Sequence, residues 1–77
     1  MTNMVTGISM KWTREYRMKL LDKIEGYRLS KSMSIVQISK ELNLPWNTYH
    51  RWIRGEMLLG RIWAYKLEQF LKKKKAL

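Results

Sequence analysis

Hydrogen-bonding and cationic side chains recur at helical spacing near the middle of this chain. Asn47, His50, Arg51 and Arg54 fall on one side of a helix that would span roughly residues 46–54. An asparagine side chain can form two hydrogen bonds with an adenine edge, and an arginine can do the same with guanine or hold a phosphate. These residue types at this spacing favour recognition of nucleic acid.

Side chains that could catalyse a reaction or bind a metal are few and scattered. The chain has no cysteine and one histidine, His50, so the usual ligands of a zinc site are missing. No spacing typical of paired carboxylates occurs among the six acidic residues, which are Glu15, Asp22, Glu25, Glu41, Glu56 and Glu68. A glycine-rich phosphate loop is also absent from the sequence. We therefore predict a protein that is not an enzyme and that needs no metal or cofactor.

Residues 34–56 are typical of two short helices joined by a tight turn. Ser34 and Gln37 have the spacing of a capping box, in which each side chain bonds the other residue's backbone N–H. Asn43 tolerates the left-handed conformation that ends many helices. Pro45 suits the first position of the next helix, where a backbone N–H is not needed. This arrangement predicts a helix-turn-helix, in which the second helix enters the DNA major groove.

Each of the two helices has a predicted inner face. The first buries an apolar stripe and turns Lys40 and Glu41 outward; the stripe consists of Ile35, Ile38 and Leu42. Small Ser39 lies beside that stripe, where it permits close approach of the next helix and can bond back to the previous turn. The second helix should pack Tyr49, Trp52 and Ile53 inward, with Trp46 near its exposed N-terminal end.

Residues 34–56 resemble the helix-turn-helix of lambda-repressor-like, Cro-type DNA-binding domains. The matching positions are Ser39, Asn43, Tyr49, Trp52, Arg54, Gly55 and Glu56. Two positions depart from the family pattern: Asn43 replaces the more usual Gly, and Tyr49 replaces an aliphatic residue, which suggests a wider gap between the helices. The resemblance covers about a third of the chain. Similar segments also occur in transposases, resolvases and phage terminase small subunits.

The resemblance and the residue types together name the expected DNA-binding side chains. Ser34 and Gln37 would place the start of the first helix on a phosphate, and the second helix would meet base edges or neighbouring phosphates. That second set is Trp46, Asn47, Thr48, His50, Arg51 and Arg54. The lysines near the C-terminus, Lys72, Lys73, Lys74 and Lys75, are either a phosphate clamp or a solvated helix end that suits the helix dipole.

Amphipathic segments flank the motif on both sides. An apolar stripe of Trp12, Tyr16, Leu20, Leu21, Ile24 and Tyr27 predicts a helix capped by Thr13, with a break or kink at Gly26. A last helix should start near residues 58–60 and bury Leu59, Ile62, Trp63, Leu67, Phe70 and Leu71. We predict one all-α domain of four or five helices over residues 12–77, preceded by residues 1–11 as a flexible N-terminal arm.

The net charge points to a polyanionic partner. The 77 residues contain 16 Lys and Arg against 6 Asp and Glu, a formal net charge of +10. Half of that excess lies in residues 60–77. Because no apolar run is long enough to span a bilayer and the first ten residues lack the features of a signal peptide, we expect a cytoplasmic protein.

The function most consistent with these features is sequence-specific binding of double-stranded DNA by a small phage- or plasmid-type transcriptional repressor. A possible homodimer would place two recognition helices about 34 Å apart. A second hypothesis is a DNA-site recognition factor for recombination, excision or packaging. A third is a membrane-surface or protein-interaction module built on the basic amphipathic segment 58–75. No small-molecule pocket is evident.

Overall fold

The computed structural model describes residues 12–75, and this part of the chain contains four helices and no strand. They are α1 (Arg14–Ser30), α2 (Ile35–Leu42), α3 (Trp46–Ile53) and α4 (Arg61–Lys73). The prediction of an all-α fold with a central pair of short helices is confirmed. The expected arm at residues 1–11 lies outside the described residues.

Two helix pairs build the domain. The long helices α1 and α4 pack against each other, and the short helices α2 and α3 pack against each other across their turn. All four helices contribute to one buried apolar core, which consists of Leu20, Leu21, Ile24, Ile38, Leu42, Leu44, Tyr49, Trp52, Leu59, Ala64, Leu67 and Leu71. The core therefore fixes the short pair relative to the long pair.

Helix α1 confirms most of its predicted pattern. The Thr13 side chain accepts a hydrogen bond from the backbone N–H of Tyr16 at 3.2 Å, as an N-cap should. Leu20 and Ile24 are fully buried. The predicted break at Gly26 does not occur, because α1 continues through this exposed position to Ser30. A glycine in a helix interior costs about 1 kcal/mol relative to alanine but does not by itself end the helix.

Most of the predicted inner face of α4 is confirmed, since Leu67, Leu71 and the preceding Leu59 are buried, and Trp63 and Phe70 pack against the core. Ile62 was expected in the core, yet its side chain is 73% exposed. The buried positions are Ala64, Leu67, Glu68 and Leu71, which follow helical spacing from Ala64. Position 62 lies two residues before 64, and thus on nearly the opposite side of the helix. Packing against α1 therefore covers the side of α4 that carries Ala64, Leu67 and Leu71, and leaves Ile62 outside.

The turn between α2 and α3 follows the predicted chemistry closely. Gln37 N–H donates to Ser34 Oγ at 3.0 Å, and Ser34 N–H donates to Gln37 Oε1 at 2.7 Å, which completes the capping box. Asn43 is left-handed at φ 63° and ψ 47°. Leu44 is buried, and its N–H bonds the Ser39 carbonyl at 3.0 Å. Pro45 is the N-cap of α3 and thus lies one position earlier than predicted.

Ser39 fills its predicted place but not its predicted hydrogen bond. The residue is 2% exposed, and its Oγ has no partner among the described residues. The expected bond to the previous turn was therefore wrong. The small volume of the side chain, rather than its hydroxyl, is what the packing of α2 uses.

No helix within residues 12–75 has both the length and the apolar character needed to cross a membrane.

The left-handed backbone at Asn43 gives a matched pair of variants. Glycine adopts φ 63° without strain, whereas a Cβ without a local hydrogen-bonding group is disfavoured there by about 1–2 kcal/mol. We expect Asn43→Ala to unfold at a lower urea concentration than Asn43→Gly, with helical circular dichroism as the readout. Equal midpoints for the two variants would contradict the assigned turn geometry.

Candidate nucleic-acid interface

Helix α3 separates its apolar and polar side chains as predicted. Tyr49 is fully buried and Trp52 is 5% exposed, while Ile53 is half-buried. On the opposite side Asn47 and Arg51 are exposed. The helix therefore presents its carboxamide and guanidinium groups to solvent while its inner face is anchored in the core.

Trp46 and His50 form an aromatic pair at the start of this outer face. They are one helical turn apart, and their ring centroids lie 6.1 Å from each other at an interplanar angle of 42°. Trp46 is 55% exposed, and His50 is half-buried. Thr48, also a candidate contact, is half-buried. The start of α3 thus combines an exposed aromatic ring with hydrogen-bonding neighbours.

A three-residue hydrogen-bond network attaches α3 to α1. The hydroxyl of Tyr49 donates to Glu25 Oε1 at 2.9 Å. Arg28 donates to the same carboxylate with Nε at 2.6 Å and with Nη2 at 3.1 Å. Arg28 Nη1 also donates to the Met33 carbonyl, just before α2, at 2.9 Å. One carboxylate and one guanidinium therefore connect α1, the α1–α2 loop and α3.

The same network shifts the proton affinities of its members. Arg28 lowers the pKa of Glu25 by hydrogen bonding to the carboxylate, and the Tyr49 hydroxyl adds to this effect against the burial. Burial raises the pKa of Tyr49 well above its usual range, and the hydrogen bond to Glu25 raises it further. The network is therefore an ionised Glu25 bonded by a neutral tyrosine and a cationic arginine.

A second set of polar contacts holds α4 and the loop before it against α1. The hydroxyl of Tyr16 donates to Glu68, which is 3% exposed, and this bond raises the pKa of Tyr16 to about 12. Arg17 Nη1 donates to the Leu59 carbonyl at 3.0 Å. Because the Glu68 carboxylate is buried, the exposed surface of α4 is more basic than its composition suggests.

The start of α2 lies exposed beside the outer face of the motif. Ser34 and Gln37 are both exposed, but their Oγ and Oε1 atoms are occupied by the capping box. The group on Gln37 that could donate to a phosphate is therefore its NH₂. Lys40, which sequence reasoning placed outward without assigning it to the site, is also exposed on α2.

Two of the predicted cations already have acidic neighbours. Arg54 Nε lies 3.0 Å from Glu56 Oε2, and both side chains are more than two-fifths exposed. Lys74 Nζ lies 3.8 Å from Glu41 Oε1 and 5.6 Å from the Phe70 ring. Exposed ion pairs contribute about 0–1 kcal/mol, so a phosphate can displace them.

The ion pair of Lys74 locates the lysine run in the fold. It sets the end of α4 beside the end of α2, close to the turn at Asn43. The other three lysines, Lys72, Lys73 and Lys75, are exposed. The structure therefore places the four lysines near the helix-turn-helix. Their position and exposure are compatible with a phosphate clamp and with a solvated helix end.

Nothing in the described region gathers the side chains of a metal centre. Within residues 12–75, no group of three or more His, Cys, Asp or Glu side chains lies close enough to share an ion. A cleft of about 90 Å³ lies between α1 and the loop after α3, where Met18, Trp52 and Met57 make its lining largely apolar. The polar groups of α3 discussed above are not part of this cleft.

No protein-family model, curated protein or solved structure matches this chain. The resemblance of residues 34–56 to Cro-type domains therefore rests on the residues themselves.

Sequence reasoning missed the network around Glu25, since Glu25 and Tyr49 are 24 residues apart, although Glu25 and Arg28 are only three apart. The contact between Trp46 and His50 was also missed, although their spacing of four residues was a usable signal.

The lowered pKa of Glu25 predicts an acid-sensitive contribution to stability. A carboxyl whose pKa is lowered by folding stabilises the protein above its ordinary value of 4.5 and loses that contribution as the pH falls. The difference in unfolding free energy between the wild type and Glu25→Gln should therefore be largest near neutral pH and shrink in acid. Urea titrations across this range measure it.

Glu15→Gln makes the same charge change on an exposed part of α1 and controls for net charge. A wild-type to Glu25→Gln difference that stays constant into acid would show that the network does not stabilise the ionised carboxylate.

Proposed function

We propose that this chain is a sequence-specific binder of double-stranded DNA, and that it acts as a small phage- or plasmid-type transcriptional repressor. The observation that carries the proposal is the presentation of α3. Its inner face is fixed by Tyr49 and Trp52, and its outer face offers Asn47 and Arg51 to solvent. A rigid helix with exposed bidentate hydrogen-bonding groups suits the major groove.

The charge distribution supports separate surfaces for recognising bases and for binding phosphates. Within residues 44–55 the chain carries no acidic side chain, so the outer face of α3 has no carboxylate of its own to repel phosphates. The exposed lysines at 72, 73 and 75 supply affinity for phosphates without regard to sequence. In this proposal α3 selects the site and the basic flank holds the duplex.

The first helix of the motif would orient the second on the duplex. The N-terminal end of α2 would approach a phosphate through backbone N–H groups and the NH₂ group of Gln37. Arg54 would reach a neighbouring phosphate by exchanging its exposed pair with Glu56. Each of these contacts fixes register and carries no sequence information.

The packing of α4 argues for DNA over a membrane surface. An interfacial helix needs a free apolar face. The main apolar face of α4, with Ala64, Leu67 and Leu71, is fully buried in the domain core, whereas Ile62 and Tyr65 are exposed on its other side. Insertion of that main face into lipid would require α4 to leave the core, whereas binding DNA through α3 requires no rearrangement of the fold.

Selection from a random duplex library at near-physiological salt tests the proposal directly. Enrichment of an inverted repeat with half-sites about one helical turn apart is the result expected of a two-fold dimeric regulator. Enrichment of a single asymmetric site would instead favour a monomer or a recombination, excision or packaging factor. Salt-sensitive binding with no enriched sequence would overturn sequence recognition.

Asn47 and Lys73 make a contrasting pair of variants for the two roles. Asn47→Ala should weaken binding to the selected site by about 1–3 kcal/mol and relax preference at one base position. Lys73→Ala should weaken all sequences equally and reduce the slope of log affinity against log salt by about one. Fluorescence anisotropy over a salt series separates the two effects. An unchanged base preference in Asn47→Ala would show that α3 does not lie in the groove as proposed.

A further inference from the structure

Trp46 differs from the other three tryptophans of the chain in having no core to pack into. Trp52 is buried, and Trp12 and Trp63 are half-buried within aromatic clusters. Trp46 is 55% exposed at the first position of α3, and the ring contact described for it is with the side chain of His50. A large apolar ring is thus held on a face whose other members are polar.

His50 limits the positions that the Trp46 ring can take. Its imidazole lies one turn further along α3, with its centroid 6.1 Å from that of the indole. His50 is itself half-buried, so the ring that Trp46 leans on is partly fixed by the domain. An aromatic side chain has few rotatable bonds, so such support presents its plane at low entropic cost.

The major groove displays one apolar feature among its hydrogen-bonding groups, the C5 methyl of thymine. We infer that Trp46 is a specificity-determining residue that contacts the methyl group of a thymine at the edge of the half-site read by α3. This inference rests on the proposed function and extends it from the polar residues of α3 to an apolar one. The indole would cover the methyl group while Asn47, the next residue, bonds an adjacent base edge.

Replacement of thymine by uracil in the selected duplex tests the contact, because the two bases differ by that methyl group alone. For the wild type, uracil at one thymine position should weaken binding about fourfold, the effect of withdrawing one buried methyl. Trp46→Ala should bind the thymine duplex about as weakly as the wild type binds the uracil duplex or worse. The ratio of its affinities for the thymine and the uracil duplex at that position should be close to one.

Two further variants make the comparison specific. Trp46→Phe keeps an aromatic ring and should still prefer the thymine duplex over the uracil duplex, by less than fourfold. Leu29→Ala shortens another exposed apolar side chain, on α1, and should leave the fourfold ratio intact. Circular dichroism confirms that each variant keeps the helical fold, which an exposed position makes straightforward.

The outcomes distinguish this inference from the function on which it rests. If no duplex sequence is enriched, both are overturned. If a sequence is enriched but its binding ignores every thymine-to-uracil change, or if Trp46→Ala keeps the wild-type ratio, the role of Trp46 is wrong and the function stands. A larger loss on single-stranded than on duplex DNA in Trp46→Ala would instead make the ring a stacking surface for unpaired bases.

Discussion

The carboxylate of Glu25 is the contact on which the placement of α3 depends. A buried tyrosine needs a partner for its hydroxyl, since an unpaired polar group inside a core costs about 1–3 kcal/mol. In this fold the partner of Tyr49 lies on α1, and the carboxylate that accepts its hydrogen bond is itself fixed by Arg28. Because Arg28 also donates to the carbonyl of Met33, one network attaches both α3 and the loop that leads into α2 to α1. An aliphatic side chain at position 49 would fill a smaller gap and would make none of these bonds.

How far the sequence predicts the fold depends on the range of the interactions involved. The capping box of Ser34 and Gln37, the left-handed Asn43 and the two faces of α3 follow from neighbours within four residues, and all were predicted. The exposure of Ile62 and the burial of Ala64 on α4 were not predicted, because packing against α1 decides which side of that helix is covered. The bonds of Tyr49 to Glu25 and of Tyr16 to Glu68 span 24 and 52 residues, and no local pattern specifies them.

The features of the candidate site also separate into those set by neighbours in the sequence and those set by tertiary packing. Exposure of Asn47, Arg51 and Trp46 follows from helical periodicity and was predictable. The pairing of Arg54 with Glu56 could have been anticipated from their nearness in the chain, but that of Lys74 with Glu41 could not, because it depends on where α4 ends. Binding of DNA itself is still a prediction, since exposure and charge describe what a surface offers and not what it meets.

The acidic residues show how the chain keeps its positive charge on the surface without weakening the fold. Glu25 and Glu68 accept hydrogen bonds inside the fold. Glu41 lies beside Lys74 at the end of α4, and Glu56 lies beside Arg54 at the end of α3. The two others, Glu15 and Asp22, are exposed on α1, away from residues 44–55. Self-repulsion in a chain of net charge +10 is thereby offset at particular places, while the outer face of α3 is left without a carboxylate. Moving any of these four paired acids onto that face would keep the net charge the same and remove the feature that makes the surface suited to a polyanion.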